Sequence, residues 1–408
     1  MITPAYAPTA TERVLPRLAL DFTTGTLDPR VTVTRALNTA TRVNSSGLIE
    51  VVNADLPRFD YDPVTLAPKG LLIEEARTNL LPNSETFAGG WTPEGASVQT
   101  VSITPPNNAA SCKKLVENTA AGAHGLYAGA TVTNVIHAGS LWVKAAERTK
   151  INLFIFDVTG SKAYEVKVDL TNGTVIGTPT GTWEIEPFPN GWYRISIVST
   201  VALAAGASRL WVRILNAAGN ASYTGDGTSG VYLWGAQLEP GASATSYIPT
   251  TTTSLTRNAD VESMTGANFS SWWQVTTGGM LVRARQSAVT GIRPWAHISD
   301  GTADNIISLR GNAANPELYI KATTDQAQID AGTLAANTSY GLASAWNTND
   351  CAAAINGGTA VVDTSVTIPT VDRMLIGSDG ANYLNGWVEK IELWPQRIIN
   401  AEVQAFSK

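Results

Sequence analysis

Residues Tyr164 to Leu170 alternate without a break. Tyr164, Val166, Val168 and Leu170 fall on one side of an extended chain, and Glu165, Lys167 and Asp169 on the other. Such a run buries one face of a strand and leaves the other to solvent. Asn172-Gly173 follows directly, a dipeptide suited to the positive φ angles of a two-residue hairpin turn. Comparable short strands are predicted at 141–144, 151–158, 183–186, 192–198 and 210–215, with no helical period between them. The expected fold class is all-β: two consecutive antiparallel sandwich or jelly-roll domains behind a small N-terminal extended region.

With 408 residues the chain is long enough for two or three domains, each with its own core. Only 15% of residues are charged, while twelve Trp, eleven Tyr and eight Phe are available for cores, which excludes a disordered chain. The formal net charge is −6 and no block of Lys or Arg occurs, so nucleic acid is not an expected partner. No run approaches the ~18 apolar residues of a membrane span, and no membrane insertion is expected. The start, MITPAYAPTATERV, has neither the basic nor the apolar part of a secretory signal and reads as an extended arm. Cys112 and Cys351 are too few and too far apart for a disulfide framework or a metal site, and read as buried thiols.

Three blocks are expected: 1–85, 86–256 and 257–408, with the last boundary just after the four threonines at 250–253. In the first block, Gly70 to Leu81 reads as a short strand or one helical turn. In the second, Val231-Tyr232-Leu233-Trp234-Gly235-Ala236-Gln237-Leu238 is apolar on both faces. Tyr232, Trp234, Ala236 and Leu238 are expected on one side, Val231, Leu233 and Gly235 on the other. In the third, strands are expected at 280–285, 306–310, 318–321, 340–346, 352–355, 374–376 and 387–394. Asn400 is expected to cap a closing helical turn carrying Val403 and Phe406.

The aromatic strand at 231–250, with Gly191-Trp192-Tyr193-Arg194-Ile195-Ser196-Ile197, resembles the closing strands of a carbohydrate-binding-module-like jelly roll common in tailed-bacteriophage virion proteins. The strings PRFDYDP and GLLIEEARTNLL resemble an N-terminal segment of phage tail and head-fibre proteins. Ala354-Ile355-Asn356-Gly357-Gly358, Leu375-Ile376-Gly377-Ser378 and Asn385-Gly386-Trp387-Val388-Glu389-Lys390-Ile391-Glu392-Leu393-Trp394 resemble a concanavalin A-like lectin sandwich in its laminin-G-like form. These resemblances imply a virion appendage (a tail or head fibre or spike) that joins other virion proteins through its N-terminal region and adheres to host-surface glycans. It would be made in the host cytoplasm and carried on the virion, as a homo-oligomer, with a trimer implied by other phage fibres. No heptad shaft is present, which favours a compact appendage. The alternatives are a non-adhesive capsid or tail decoration or adaptor, and a polysaccharide depolymerase.

A sugar site needs aromatic surface beside polar groups. Trp142, Trp192, Trp211 and Trp234 lie inside strands and read as core. Trp183, Tyr223, Trp272, Trp273, Trp295 and Tyr383 lie at expected strand ends or loops and are the candidate glycan platforms. Trp272-Trp273 is the most suggestive, since neighbours in a strand point to opposite faces; packing against another domain or subunit explains the pair equally.

No catalytic set is expected. Glu184 and Glu186 share a strand face, roughly 7 Å apart by strand geometry, a spacing that suits an inverting glycosidase but also a solvated face. Gly225-Asp226-Gly227-Thr228-Ser229-Gly230 matches a phosphate-loop pattern, but a strand follows it where a helix would be needed, so it reads as a turn. His124, His137 and His297 form no ligand pair, and no nucleophile elbow occurs. No metal or cofactor is expected. Ser299 to Asn305 offers donors that suit calcium, but turn formation explains the same residues without a metal.

Overall fold

The computed structural model describes residues 15–37 and 39–408. The Pro/Thr/Ala-rich arm at 1–14 lies outside them. The chain is all-β, as expected, with antiparallel pairings throughout its two sandwiches. Helix is confined to short pieces, the longest being Asn400–Phe406. Among the described residues no helix is long and apolar enough to cross a membrane. Asn400 opens that closing helix rather than capping it. Glu402 instead reaches back to the Ile399 amide at 3.0 Å, while Val403 is buried and Phe406 stacks on Trp394.

The middle sandwich has two sheets. One runs Thr182–Phe188, Trp192–Val198, His137–Ala145, Gly230–Pro240, Cys112–Glu117, Ala96–Val101. The other runs Thr174–Ile176, Lys162–Asp169, Lys150–Asp157, Gly206–Leu215, Ala121–Val132, Ser222–Thr224, with Trp91–Glu94 also paired to Ala121–Val132. Their inner faces form one aliphatic core that takes Tyr164, Val166, Val168 and Leu170, as the alternation requires. The Asn172-Gly173 turn leads into Thr174–Ile176, which pairs back on Lys167 to Asp169.

The expected facing of residues 231–238 needs one correction. Gly235 adopts φ +66°, and the pairing with His137–Ala145 shifts register there. A Cβ at Gly235 would stand 2.8 Å from the Trp142 ring, so only glycine fits this bulge. The bulge reverses the side-chain parity. Ala236 and Leu238 join Val231 and Leu233 in the core, while Trp234 faces the opposite side. There Trp234 packs with Trp142, Phe188, Trp192 and Tyr247 under Ile49 of the hairpin Ala40–Val43/Ile49–Val52.

The C-terminal sandwich corrects the reading of 1–85 as a separate region. Leu18–Asp21 and Pro68–Ile73 both pair with Gly386–Trp394, Phe59–Tyr61 pairs with Pro68–Ile73, and Thr32–Thr34 pairs with Val261–Thr265. These segments complete sheets of eight and seven strands. Leu18, Leu20, Phe22, Phe59, Leu71 and Ile73 are buried in the same core as Trp272, Trp295 and Trp346. The physical reason is burial: these strands carry too few apolar side chains to enclose a core alone, and they use the face of the later sandwich.

Arg77–Asn79 pairs with Leu255–Arg257, so the chain enters and leaves the middle sandwich side by side. A buried ionic cluster sits beside this ribbon. Asp260 accepts from Arg35 at 2.9 Å and contacts Arg58. Glu74 meets Arg58 at 2.7 Å and Arg257 at 3.1 Å, and accepts from Ser246 N at 2.7 Å. The Glu74 carboxyl stays well below its usual range, because Arg257 and Arg58 outweigh the burial that would raise it. Nearby Glu262 is fully buried, and neither of its oxygens has a hydrogen-bond partner among the described residues. Burial, then the charge of Asp260, pushes it far up.

Candidate functional site

An open groove lies on the outward face of the seven-stranded sheet of the middle sandwich, with a volume of about 690 Å³. Its floor follows from strand alternation. Ile151, Leu153 and Ile155 point into the core, so Asn152, Phe154 and Phe156 point out. Leu210, Val212 and Ile214 point in, leaving Arg209, Trp211 and Arg213 outside. Register then aligns Thr92, Tyr127, Trp211, Phe154 and Glu165 in one row across five strands. Glu94, Gly125, Arg213 and Asn152 form the next row.

Tyr127 and Trp211 stack with centroids 4.1 Å apart and planes at 29°, and Trp211 and Phe154 are 5.7 Å apart at 5°. Their faces are turned to one another, so their edges line the groove. Guanidinium groups cover the remaining ring surface: Arg209 lies 4.7 Å from the Tyr127 centroid, and Arg213 lies 4.6 Å from Trp211. Arg213 reaches across Gly125 to Glu94 at 2.9 Å; a Cβ at Gly125 would meet the Arg213 side chain at 2.8 Å. Asn152 donates to Glu165 at 2.7 Å. Two polar atoms of the floor, Trp211 Nε1 and Asn152 Oδ1, are buried and have no hydrogen-bond partner among the described residues. One is a donor and the other an acceptor. Left so, each carries a desolvation cost of about 1–3 kcal/mol. Ring edges are the positive rim of the aromatic quadrupole and favour oxygen.

The six sequence candidates do not converge. Trp272 and Trp295 are fully buried and Trp273 is 9% exposed, all within the C-terminal core. Residues 267–270 form a short helix rather than a strand, so both following tryptophans turn inward. Trp272 donates to Asn268 O, Trp273 stacks on Phe269, and Trp295 donates to Gln286. None of the three has a face free for a sugar. Tyr223 is half-buried, donates to Glu117 at 2.6 Å and lies under Arg148. Tyr383 packs against the C-terminal core. Trp183 is 44% exposed, on an edge strand away from the groove. The groove residues were missed because Trp211 reads as core. The available signal was Arg209-x-Trp211-x-Arg213, a tryptophan sharing its strand face with two arginines.

Glu184 and Glu186 line a cleft between the two sandwiches, each engaged by the opposite wall. Asn337 donates to Glu184 at 3.0 Å, and Lys69 pairs with Glu186 at 3.0 Å. Glu184 keeps solvent contact at the cleft mouth, yet its carboxyl is raised by the surrounding walls and then by Glu186. Around Ser299 to Asn305, Asp300 accepts from the Thr302 amide, the Thr302 hydroxyl and Asn305, an ordinary turn. Cys112 and Cys351 are buried free thiols, pushed up to about 11 by burial.

Fold and groove together define a chain of antiparallel β-sandwiches with an open sheet-face groove. No family model matches the sequence, and no curated protein matches it. Among solved structures, the chain is similar to the CBM40 module of the Ruminococcus gnavus IT-sialidase bound to α2,3-sialyllactose. That match has 13% identity and a TM-score of 0.29, over 33% of this chain and 84% of that one. It is similar to domains LG4–5 of the mouse laminin α1 chain, at 9% identity and a TM-score of 0.24, over 70% and 88%. A third is the heptameric SAP-like pentraxin of Limulus polyphemus, at 12% identity and a TM-score of 0.27, over 33% and 70%. Scores this low carry no functional argument.

Proposed function

We propose that this chain is an adhesive appendage of a bacteriophage particle that holds host-surface glycan in the groove around Trp211. The observation that carries the binding reading is one open groove whose floor sets the ring edges of Tyr127, Trp211 and Phe154 beside the guanidinium groups of Arg209 and Arg213. A sugar hydroxyl both donates and accepts, so a polyhydroxylated ligand answers the carboxylates of Glu94 and Glu165 as well as the guanidinium groups and ring edges that line the groove with them. The virion reading rests on the strings PRFDYDP and GLLIEEARTNLL and on the aromatic strand at 231–250. In this reading the N-terminal region joins other virion proteins, the chain is a homo-oligomer, and many copies on one particle raise weak binding per site.

The test is retention of purified full-length chain on immobilised host-envelope glycans. Arg209→Met keeps the aliphatic stem over Tyr127 and removes one guanidinium donor from the groove, and should weaken binding about 2- to 10-fold, the worth of one hydrogen bond. Failure of the folded wild-type chain to retain any glycan would refute the adhesive reading. Absence of the protein from purified particles would refute the virion reading.

A further inference from the structure

The charged side chains that line the groove around Trp211 are Glu94, Glu165, Arg209 and Arg213. Arg213 pairs with Glu94 at 2.9 Å, and Glu165 accepts from Asn152 at 2.7 Å. Arg209 differs. Among the described residues its side chain has neither an ion pair nor a hydrogen bond, only its place over the Tyr127 ring.

Strand register explains why. The row that holds Arg209 runs Ala163, Phe156, Arg209, Gly129, so no carboxylate stands beside it. Glu165 is two strands and two residues away, and Glu94 two strands and four residues away. Those offsets put their backbone positions roughly 12 Å and roughly 17 Å from that of Arg209. Both exceed the roughly 8 Å over which exposed charges act at physiological ionic strength, so an anion held at Arg209 is little opposed by either glutamate. The guanidinium is also positioned in advance. It lies 4.7 Å from the centroid of Tyr127, whose ring is stacked on Trp211, and Arg209 is only half-buried.

A guanidinium with its fork unused and open to a groove suits a carboxylate, which it meets with two parallel hydrogen bonds. A phosphomonoester would bring close to two negative charges to a single free cation, whereas a carboxylate brings one. The groove volume of about 690 Å³ falls within the roughly 300–1,000 Å³ of sites for drug-sized ligands, which a short oligosaccharide matches. Resting on the glycan-binding reading of this groove, we infer that its ligand is an acidic glycan, one of whose sugar carboxylates pairs with Arg209 while hydroxyls further along the chain meet Glu165.

The experiment uses the full chain with trisaccharides that carry a single glucuronate, galacturonate or mannuronate residue, each beside its methyl ester, read by calorimetry. The ester keeps the sugar and removes the charge. At least one acid should bind at one per chain and about 10- to 150-fold more tightly than its ester, the worth of a hydrogen bond to a charged group, and the preference should shrink as salt is raised. Arg209→Met should abolish the preference. Lys113→Met, which removes a charge from the other sheet, should leave it unchanged. A preference that survives Arg209→Met, or falls as far in Lys113→Met, would overturn the inference. Retention of host-envelope glycans without any preference of acid over ester would overturn it alone and leave the glycan reading standing; retention of no glycan at all would overturn both.

Discussion

Asp260→Ala offers the sharpest test of how the junction between the sandwiches holds. The carboxylate accepts from Arg35 at 2.9 Å, from Arg58 Nε at 3.2 Å and from the Glu74 amide at 2.9 Å, with Arg257 at 3.8 Å. The three guanidinium side chains are at most 1% exposed. Without Asp260 they face Glu74 as their principal buried counter-charge. Removing one partner of a buried pair costs about 3–5 kcal/mol, because the abandoned charge cannot return to water. One residue offsets part of this. Burial, then the charge of Asp260, raises the Glu262 carboxyl, so losing Asp260 shifts Glu262 toward ionisation and toward replacing the missing charge. The single variant should therefore fall at the lower end, about 3 kcal/mol. Asp260→Ala/Glu262→Gln should cost more than the two single changes together, with a coupling of about 1–2 kcal/mol. Urea unfolding at pH 7, followed by far-ultraviolet circular dichroism, measures both. A single variant within about 1 kcal/mol of wild type, or strict additivity in the double variant, would refute the reasoning.

Trp272→Ala should destabilise the C-terminal sandwich by about 3–5 kcal/mol, the cost of emptying a fully buried indole site, and leave glycan retention by the still-folded protein intact; thermal unfolding and the retention assay check the two halves. Glu262→Gln should be the more stable form at neutral pH. A carboxyl raised in the folded state contributes fully below its unfolded value of about 4.3, and that contribution falls as pH rises toward the folded value, whereas glutamine does not titrate. The gap in Tm between variant and wild type should widen from pH 4 to pH 7, and a constant gap would show that Glu262 is not held protonated.

The fold class was legible because alternation is local. Tyr164 to Leu170 needed only its own spacing to declare a strand. Gly235 shows where that reasoning stops, since one positive-φ residue moved Ala236 and Leu238 to the face opposite the one counted for them. Strand Ile292–Ser299 went unread because Pro294 and a register shift before Ala296 break its alternation. The site was less legible. Adjacent tryptophans look like a platform only if their backbone is extended, and at 272–273 it is not. The groove depends on which strands neighbour one another, and Tyr127, Trp211 and Phe154 come from strands far apart in sequence. That Leu18 to Ile73 would serve a sandwich begun at residue 257 is likewise a non-local fact.

That interleaving governs the order of events during synthesis. Leu18–Asp21 and Pro68–Ile73 both emerge more than three hundred residues before Gly386–Trp394, the strand both must join. The middle sandwich can close by itself in the interval, while the early strands wait with open edges that invite pairing with a neighbouring nascent chain. A fragment begun at 257 would lack the strands that cover part of its own sheets. Gly386–Trp394 is thus the strand that releases the two earlier ones from waiting, and the sheet they share is completed only once it has been made.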